Sequence, residues 1–304
     1  MPVGSREPLC DTERPIALAV GGGGARGIAH IGVFKVLLEE RVPIDMMVGT
    51  SVGAFAVALF GLDPDWRKWR DVAFDYLARR GFAKMGKNLV NPRAEKKPGL
   101  LSQAGLYLAK SLALQFLAAT NRGLFSSERM RQIVDGICPD LTFEDARIPT
   151  AIVAFDIVRG EEVVFRTGRL RPAIRASANL IGFFRPMRSG GMLLVDPSPV
   201  SSVPVDISRE LGAAAVIGVD IRSRVTPQAD IPSTADAILR LAAMACERAN
   251  DEQIARADIV IAPGVGETYW SDFRDLGAHV AEGERAARAA LPGIRGMLER
   301  LGRT

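Results

Sequence analysis

The chain has 304 residues, 48% of them hydrophobic, and carries 39 Lys plus Arg against 35 Asp plus Glu for a net charge of +4. That apolar content suffices for one large domain with a buried core, while so small a charge argues only weakly for an anionic partner and gives no reason to expect nucleic acid. Three cysteines far apart (Cys10, Cys138, Cys246), with only His30 and His279 beside them, match neither a zinc site nor a disulfide framework, so no metal is expected.

Residues 1–14 are polar, with prolines and acids and no apolar signal core, so a flexible N-terminal segment and a cytoplasmic setting are expected. Residues 15–304 are expected to form a single domain. Pro15 to Val20 (PIALAV) reads as a buried strand. It runs into the glycine loop Gly21 to Gly27 and then Ile28 to Glu40, whose apolar spacing predicts a helix packed on a sheet. Two uses of this loop compete. Gly22-x-Gly24-x-x-Gly27 satisfies the dinucleotide fingerprint, with Asp45 near the distance of a ribose-binding acid, which would make an oxidoreductase. Alternatively, its backbone N–H groups form an oxyanion hole, where side chains would block the approach. Arg26 reads as solvated or paired with a carboxylate, and His30 as a packed or capping residue.

The next unit separates the two readings. Pro43 to Val48 predicts a strand and Val52 to Phe60 an apolar helix, and between them Gly49-Thr50-Ser51-Val52-Gly53 fits the G-x-S-x-G nucleophile elbow. Gly49 and Gly53 leave room around a serine on a sharp strand-to-helix turn. The elbow begins only 22 residues beyond Gly27. Two adjacent parallel strands ending in glycine turns would place an oxyanion loop beside a nucleophile, whereas a dinucleotide fold has no use for the second turn.

Here the sequence resembles the patatin-like phospholipases, in particular their bacterial branch, with a G-G-G-x-[KR]-G loop followed closely by G-T-S-x-G. Gly22-Gly23-Gly24-Ala25-Arg26-Gly27 and Gly49-Thr50-Ser51-Val52-Gly53 match both motifs. The resemblance runs from about Pro15 to near Leu301. It implies a three-layer α/β sandwich around a central, largely parallel sheet, and hydrolysis of phospholipid or lysophospholipid acyl esters by a serine and aspartate dyad, with no cofactor. Ser51 would be the nucleophile and Gly22, Gly23, Gly24, Ala25, Arg26 and Gly27 the oxyanion loop.

Further on, a basic stretch from Arg79 to Lys97 precedes the amphipathic run Leu100 to Ala119. Residues 79–120 fit a lid at a membrane surface, with ordinary core packing as the alternative. Ser126 and Ser127 read as caps before a helix from Glu128 to Ile137. Thr150 to Asp156 and Glu162 to Arg166 read as strands joined at Arg159-Gly160, and Pro172 to Ala178 as a helix start with Ser177 in a family-like alanine-serine step.

Met192 to Val195 is an apolar strand that delivers Asp196, where the resemblance places the catalytic aspartate. The sequence departs from the family here. Asp196-Pro197-Ser198 replaces Asp-Gly-Gly or Asp-Gly-Ala, and Ile181 and Arg185 stand where prolines are common. Because proline restricts the residue before it, Pro197 raises the alternative of a catalytically weak lipid-binding or regulatory protein. A triad through His279 is disfavoured by the early position of the elbow. Ala214 to Asp220 and Ile259 to Ala262 read as strands, Ile231 to Asn250 as a helix with an apolar face, and Gly266 to Asp275 as an aromatic loop. Ala281 to Leu301 reads as a helical region interrupted at Pro292-Gly293.

Overall fold

The computed structural model describes residues 6–79, 125–227, 230–266 and 268–303. Beyond Arg79, the segment expected to form a lid lies outside these residues. The strands are β1 (Ile16–Val20), β2 (Met46–Thr50), β3 (Thr150–Asp156), β4 (Glu161–Phe165), β5 (Met187–Ser189), β6 (Met192–Val195), β7 (Ala215–Val219) and β8 (Ile259–Ile261). They form one sheet in the order β5-β6-β3-β2-β1-β7-β8, with β4 also paired to β3. From β3 to β8 the pairing is parallel; β4, β5 and β6 are antiparallel additions at one side.

The helices are α1 (Ala29–Glu39), α2 (Val52–Leu62), α3 (Trp66–Arg79), α4 (Ser127–Ile137), α5 (Leu170–Ser177), α6 (Val205–Glu210), α7 (Thr234–Ile254) and α8 (Leu276–Leu301). They cover both faces of the sheet, as the strand composition requires. Ile16, Leu18 and Val20 of β1 join a cluster with α1, α2 and α8, while Ala17 and Ala19 join one with α6 and the end of α7. Alternate residues point to opposite faces, and both faces are dry, so the strands read as continuous apolar runs. The fold is therefore a three-layer α/β sandwich with a largely parallel centre.

Three local features differ from the sequence reading. In the expected flexible N-terminal segment, Leu9 and Cys10 are docked on the fold: the Leu9 amide donates to Leu211 O at 2.9 Å, and both residues pack on the second cluster. Helix α8 runs unbroken through Pro292. A proline forfeits one i→i−4 bond, but buried Leu291 and Ile294 on either side hold this turn against the core. Helix α7 buries only Asn250, Gln253 and Ile254 at its C-terminal end, leaving Ile238, Leu239, Leu241 and Met244 exposed.

Helices α1 and α8 meet backbone to backbone. A methyl group added at Gly283 would lie 2.0 Å from Ala29 O, and one at Gly32 would lie 2.0 Å from Val280 O. In the middle of a helix, alanine is favoured over glycine by ~1 kcal/mol. Overpacking a site that cannot give way costs about 1–3 kcal/mol. Because the obstacle here is backbone, overpacking dominates. Gly283→Ala should lower the free energy of unfolding by about 1–2 kcal/mol in urea titration, the overpacking cost less the gain in helix propensity; an unchanged or raised midpoint would contradict the close contact.

Candidate active site

The register of β3 brings the two expected dyad residues together. On one edge β3 pairs with β4 along Ile152 to Asp156. The other edge is shared: β2 takes Thr150 to Val153 in parallel, and β6 takes Phe155 and Asp156 in antiparallel. These two strands run towards each other along one line. Thr50 ends opposite Val153 and Val195 opposite Phe155, so the next residues, Ser51 and Asp196, converge at the level of Ala154.

Ser51 has φ 55° and ψ −121°, a conformation that few non-glycine residues adopt and that surrounding structure must impose. The turn is tight because Gly53 lies under the end of β1, where an added Cβ would sit 2.1 Å from Val20 O. The Ser51 N–H donates to Ser177 Oγ at 2.8 Å, which gives the serine of the alanine-serine step a supporting role. Ser51 itself is half-buried, and α2 begins at the next residue.

Asp196 is buried, and its N–H donates to Asn179 O at 3.0 Å. Burial pushes its carboxyl above the ordinary carboxylate range, against hydrogen bonds from the Ser198 hydroxyl, the Ser51 hydroxyl and the Ser198 amide. Both Ser198 bonds reach Oδ1, the amide at 2.9 Å and the hydroxyl at 2.6 Å. Ser198 thus fixes one oxygen of the carboxyl. After Pro197 the chain turns through bonds from the Val200 and Ser201 amides to Pro197 O, both 2.8 Å. Ser198 is a site residue that the sequence reading missed. Its signal was the Asp-Pro-Ser string, because an aspartate commonly accepts from the backbone two residues on.

The glycine loop closes the third side. An added Cβ at Gly22 would lie 2.3 Å from Ser198 Oγ and 3.0 Å from Ser51 Cβ, so loop, elbow and aspartate block converge on this glycine. Several loop amides are already used: Gly21 donates to Val219 O at 3.1 Å, Gly22 to Ser202 O at 3.0 Å and Ala25 to Trp270 O at 2.6 Å. Arg26 and Gly27 lie inside a 3-10 helix, Gly24–Ile28, and the bonds of such a helix take amides past its first turn to carbonyls three residues back. The Gly23 and Gly24 amides have no acceptor among the described residues.

Arg26 is buried rather than solvated. Its Nε donates to Gly23 O at 3.1 Å; burial pulls the guanidinium down from its ordinary value and the charge of Asp220 opposes this. His30 is also buried, with Nε2–H donating to Gly21 O at 2.9 Å, and burial pushes its pKa down to about 4. It is a neutral brace for the loop. His279 pairs Nε2 with Thr268 Oγ1 at 3.0 Å, and among the described residues neither imidazole is hydrogen-bonded to Ser51 or Asp196. Asp45 precedes β2 at the opposite end of the sheet, where it accepts from the Ile16 N–H at 2.7 Å and pairs with Arg303. It cannot reach a ribose held by the glycine loop, and the dinucleotide reading loses its acid.

Ser51, Asp196 and the glycine loop open into a cavity of about 640 Å³. Its walls are mostly apolar, including Ile28, Val52, Phe55, Tyr76, Ile133 and Phe184. The volume lies within the usual span of small-molecule sites.

Comparison with known proteins identifies the family. The family model for patatin-like phospholipase matches residues 18–208, more than half of the chain, which therefore belongs to that family. The chain is 30% identical over 229 residues to mouse patatin-like phospholipase domain-containing protein 7, covering 75% of this chain and 15% of that protein. It is 27% identical over 302 residues to an uncharacterized NTE family protein of Mycobacterium tuberculosis, covering 91% of this chain and 46% of that one. It thus spans less than half the length of these relatives. Among solved structures it is similar to VipD from Legionella pneumophila, with a TM-score of 0.51 at 12% identity over 94% of this chain and 67% of that chain.

The His30 brace makes stability depend on pH. Since the folded value, about 4, lies below the unfolded value near 6.5, the contribution is present in full above pH 6.5 and is lost as pH falls towards 4. A shift of this size is worth roughly 3 kcal/mol. His30→Gln, which keeps an N–H donor for Gly21 O, should flatten the fall in urea-unfolding free energy between these pH values. An unaltered slope would count against a buried neutral imidazole.

Proposed function

We propose that this protein is a lipid acyl hydrolase of the phospholipase A or lysophospholipase type, a serine esterase acting through an acyl-Ser51 intermediate with Asp196 as base. The observation that carries this reading is the meeting of Ser51 with a buried carboxyl, one oxygen of which is already fixed by Ser198, at the head of an apolar cavity. Family membership supports the same conclusion.

A carboxylate is ordinarily far too weak a base for a serine hydroxyl, and burial narrows that gap. Asp196 Oδ2 accepts the Ser51 proton as Oγ bonds to the ester carbon. The proton then passes to the leaving alcohol oxygen as the ester C–O bond breaks. Of the loop Gly22 to Gly27, the Gly23 and Gly24 amides serve as oxyanion donors, and the other residues hold the loop in shape. In the second half-reaction Asp196 takes a proton from the water that adds to the acyl carbon and returns it to Ser51 Oγ as the acyl–Oγ bond breaks and the fatty acid leaves. The apolar wall takes the acyl chain, each buried methylene contributing ~0.8 kcal/mol. Two observations support a working base over the catalytically weak alternative: Ser198 holds the Asp196 carboxyl, and the turn after it needs no N–H at position 197.

Wild type should hydrolyse p-nitrophenyl esters with kcat/KM rising about fourfold per added methylene until the cavity is filled. Ser51→Ala and Asp196→Asn should each cost about 10³-fold or more, and the double variant little more than either. Wild-type turnover no higher than that of the variants, or turnover indifferent to chain length, would overturn the reading.

A lipid surface is the expected source of substrate, at the inner face of the cytoplasmic membrane. Among the described residues no helix is long and apolar enough to cross a membrane. Helix α7 instead lines the cavity with Ala243, Cys246 and Glu247 while leaving Ile238, Leu239, Leu241 and Met244 exposed. Such a face joins the site to the acyl boundary of a bilayer. Wild type should sediment with phosphatidylglycerol vesicles and Ile238→Ser/Leu241→Ser markedly less; equal sedimentation would remove α7 from this role.

A further inference from the structure

Next to the acyl cavity lies a second one of about 530 Å³, whose lining includes Arg175 of α5, Arg185, Arg188 of β5 and Ser127 at the start of α4. Among the described residues none of the three guanidinium groups makes a hydrogen bond or ion pair, and the Nε of Arg175 is buried without any partner. This is unusual in a chain whose arginines are otherwise heavily paired, as Arg222 is with Asp220 and Asp251, and Arg171 with Asp135. The acid that feels the charge of Arg175 is Glu128, and its carboxylate is taken by Arg131 in bonds of 2.8 and 2.5 Å. Three cations thus face one cavity with no anion paired to them among the described residues.

The arrangement calls for a ligand of particular chemistry. Guanidinium groups are planar forks that hold phosphate oxygens two at a time, and Ser127 adds a hydroxyl at the positive end of α4. The pocket also borders the catalytic site. Met130 lines both cavities, and Asn179, whose carbonyl holds the Asp196 amide, lies in the arginine-lined wall. We propose that the Arg175, Arg185 and Arg188 pocket is a phosphate subsite, and that its ligand is the phosphodiester of the lipid whose acyl chain lies in the larger cavity. The phosphate chemistry rests on the arginines alone; its assignment to a lipid headgroup rests on the hydrolase reading. Arg185, standing where the family commonly has a proline, would then be a residue of substrate choice.

Two measurements on the full chain test this separately. In the first, Ser51→Ala protein is titrated calorimetrically at low salt with inorganic phosphate and with dihexanoylphosphatidylcholine below its micellar concentration. Both should bind, and Arg185→Gln/Arg188→Gln should weaken both 10-fold or more, while Arg185→Lys/Arg188→Lys, which keeps charge but loses the fork, should recover only part. In the second, kcat/KM for the phosphatidylcholine is divided by that for dihexanoylglycerol, which lacks the phosphate. The Gln pair should lower this ratio 10- to 100-fold, chiefly through KM. Arginine-dependent binding of inorganic phosphate with an unchanged ratio would place a free phosphate rather than a headgroup in the pocket and overturn the lipid assignment. Failure of wild type to hydrolyse either ester would defeat the hydrolase reading and leave the calorimetry to decide the subsite. Absence of phosphate binding by the folded Ser51→Ala chain, needing no arginine variant, would overturn the subsite itself.

Discussion

One edge of β3 carries two strands that run head-on into each other, and the position of every group in the candidate site follows from that sharing. β2 rises along the edge to Val153 and β6 descends to Phe155. Only the level of Ala154 is left between them. Whatever follows each strand must leave the sheet at that point, so a serine after β2 and an aspartate after β6 are forced into contact despite a separation of 145 residues in the chain. On the proposed reading no histidine is needed between them.

Holding a carboxyl there is costly, since a buried charge loses its hydration. The compensation is a set of fixed polar groups. Ser198 gives Asp196 Oδ1 two donors, and Asn179 takes the Asp196 amide while its own Nδ2 donates to Arg185 O at 2.7 Å and Leu194 O at 3.1 Å. Across the site, Asn250 accepts the Ser202 amide at 2.6 Å and donates to Ser198 O at 3.1 Å. Ser202 O in turn accepts from the Gly22 amide and the Thr50 hydroxyl. Loop, elbow and aspartate block are thus joined through one carbonyl. Such a network fixes geometry before substrate arrives, which is what a transition-state site requires.

Much of this was legible in the sequence because it is local. The buried strands are continuous apolar runs, and β3 and β6 have the boundaries their composition predicts. The glycine loop and Gly49 to Gly53 announce themselves because close backbone approach admits no side chain. What was not legible is non-local. Asn250 reaches the site from α7 with nothing in its neighbours to indicate it, and the alanine-serine step at Ser177 did not say which group its hydroxyl would hold. The spacing of Asp45 from the glycine loop imitated a ribose-binding acid, but spacing along a chain does not say which end of a strand a residue occupies. Pro292 suggested a break that packing around Leu291 and Ile294 overrides. The apolar residues of α7 suggested a core face, whereas most of them are exposed.

The central claim is that a buried carboxyl, and no imidazole, activates Ser51. It is tested most directly by the rate at which a fluorophosphonate labels the folded protein as a function of pH. The account predicts a rate that falls on the acid side in a single step centred above the ordinary carboxylate range, as burial of Asp196 requires. It also predicts that Asp196→Asn labels very slowly at every pH, whereas replacing His279 leaves the step in place. A rate that titrates unchanged in Asp196→Asn, or a step that vanishes with His279, would contradict it.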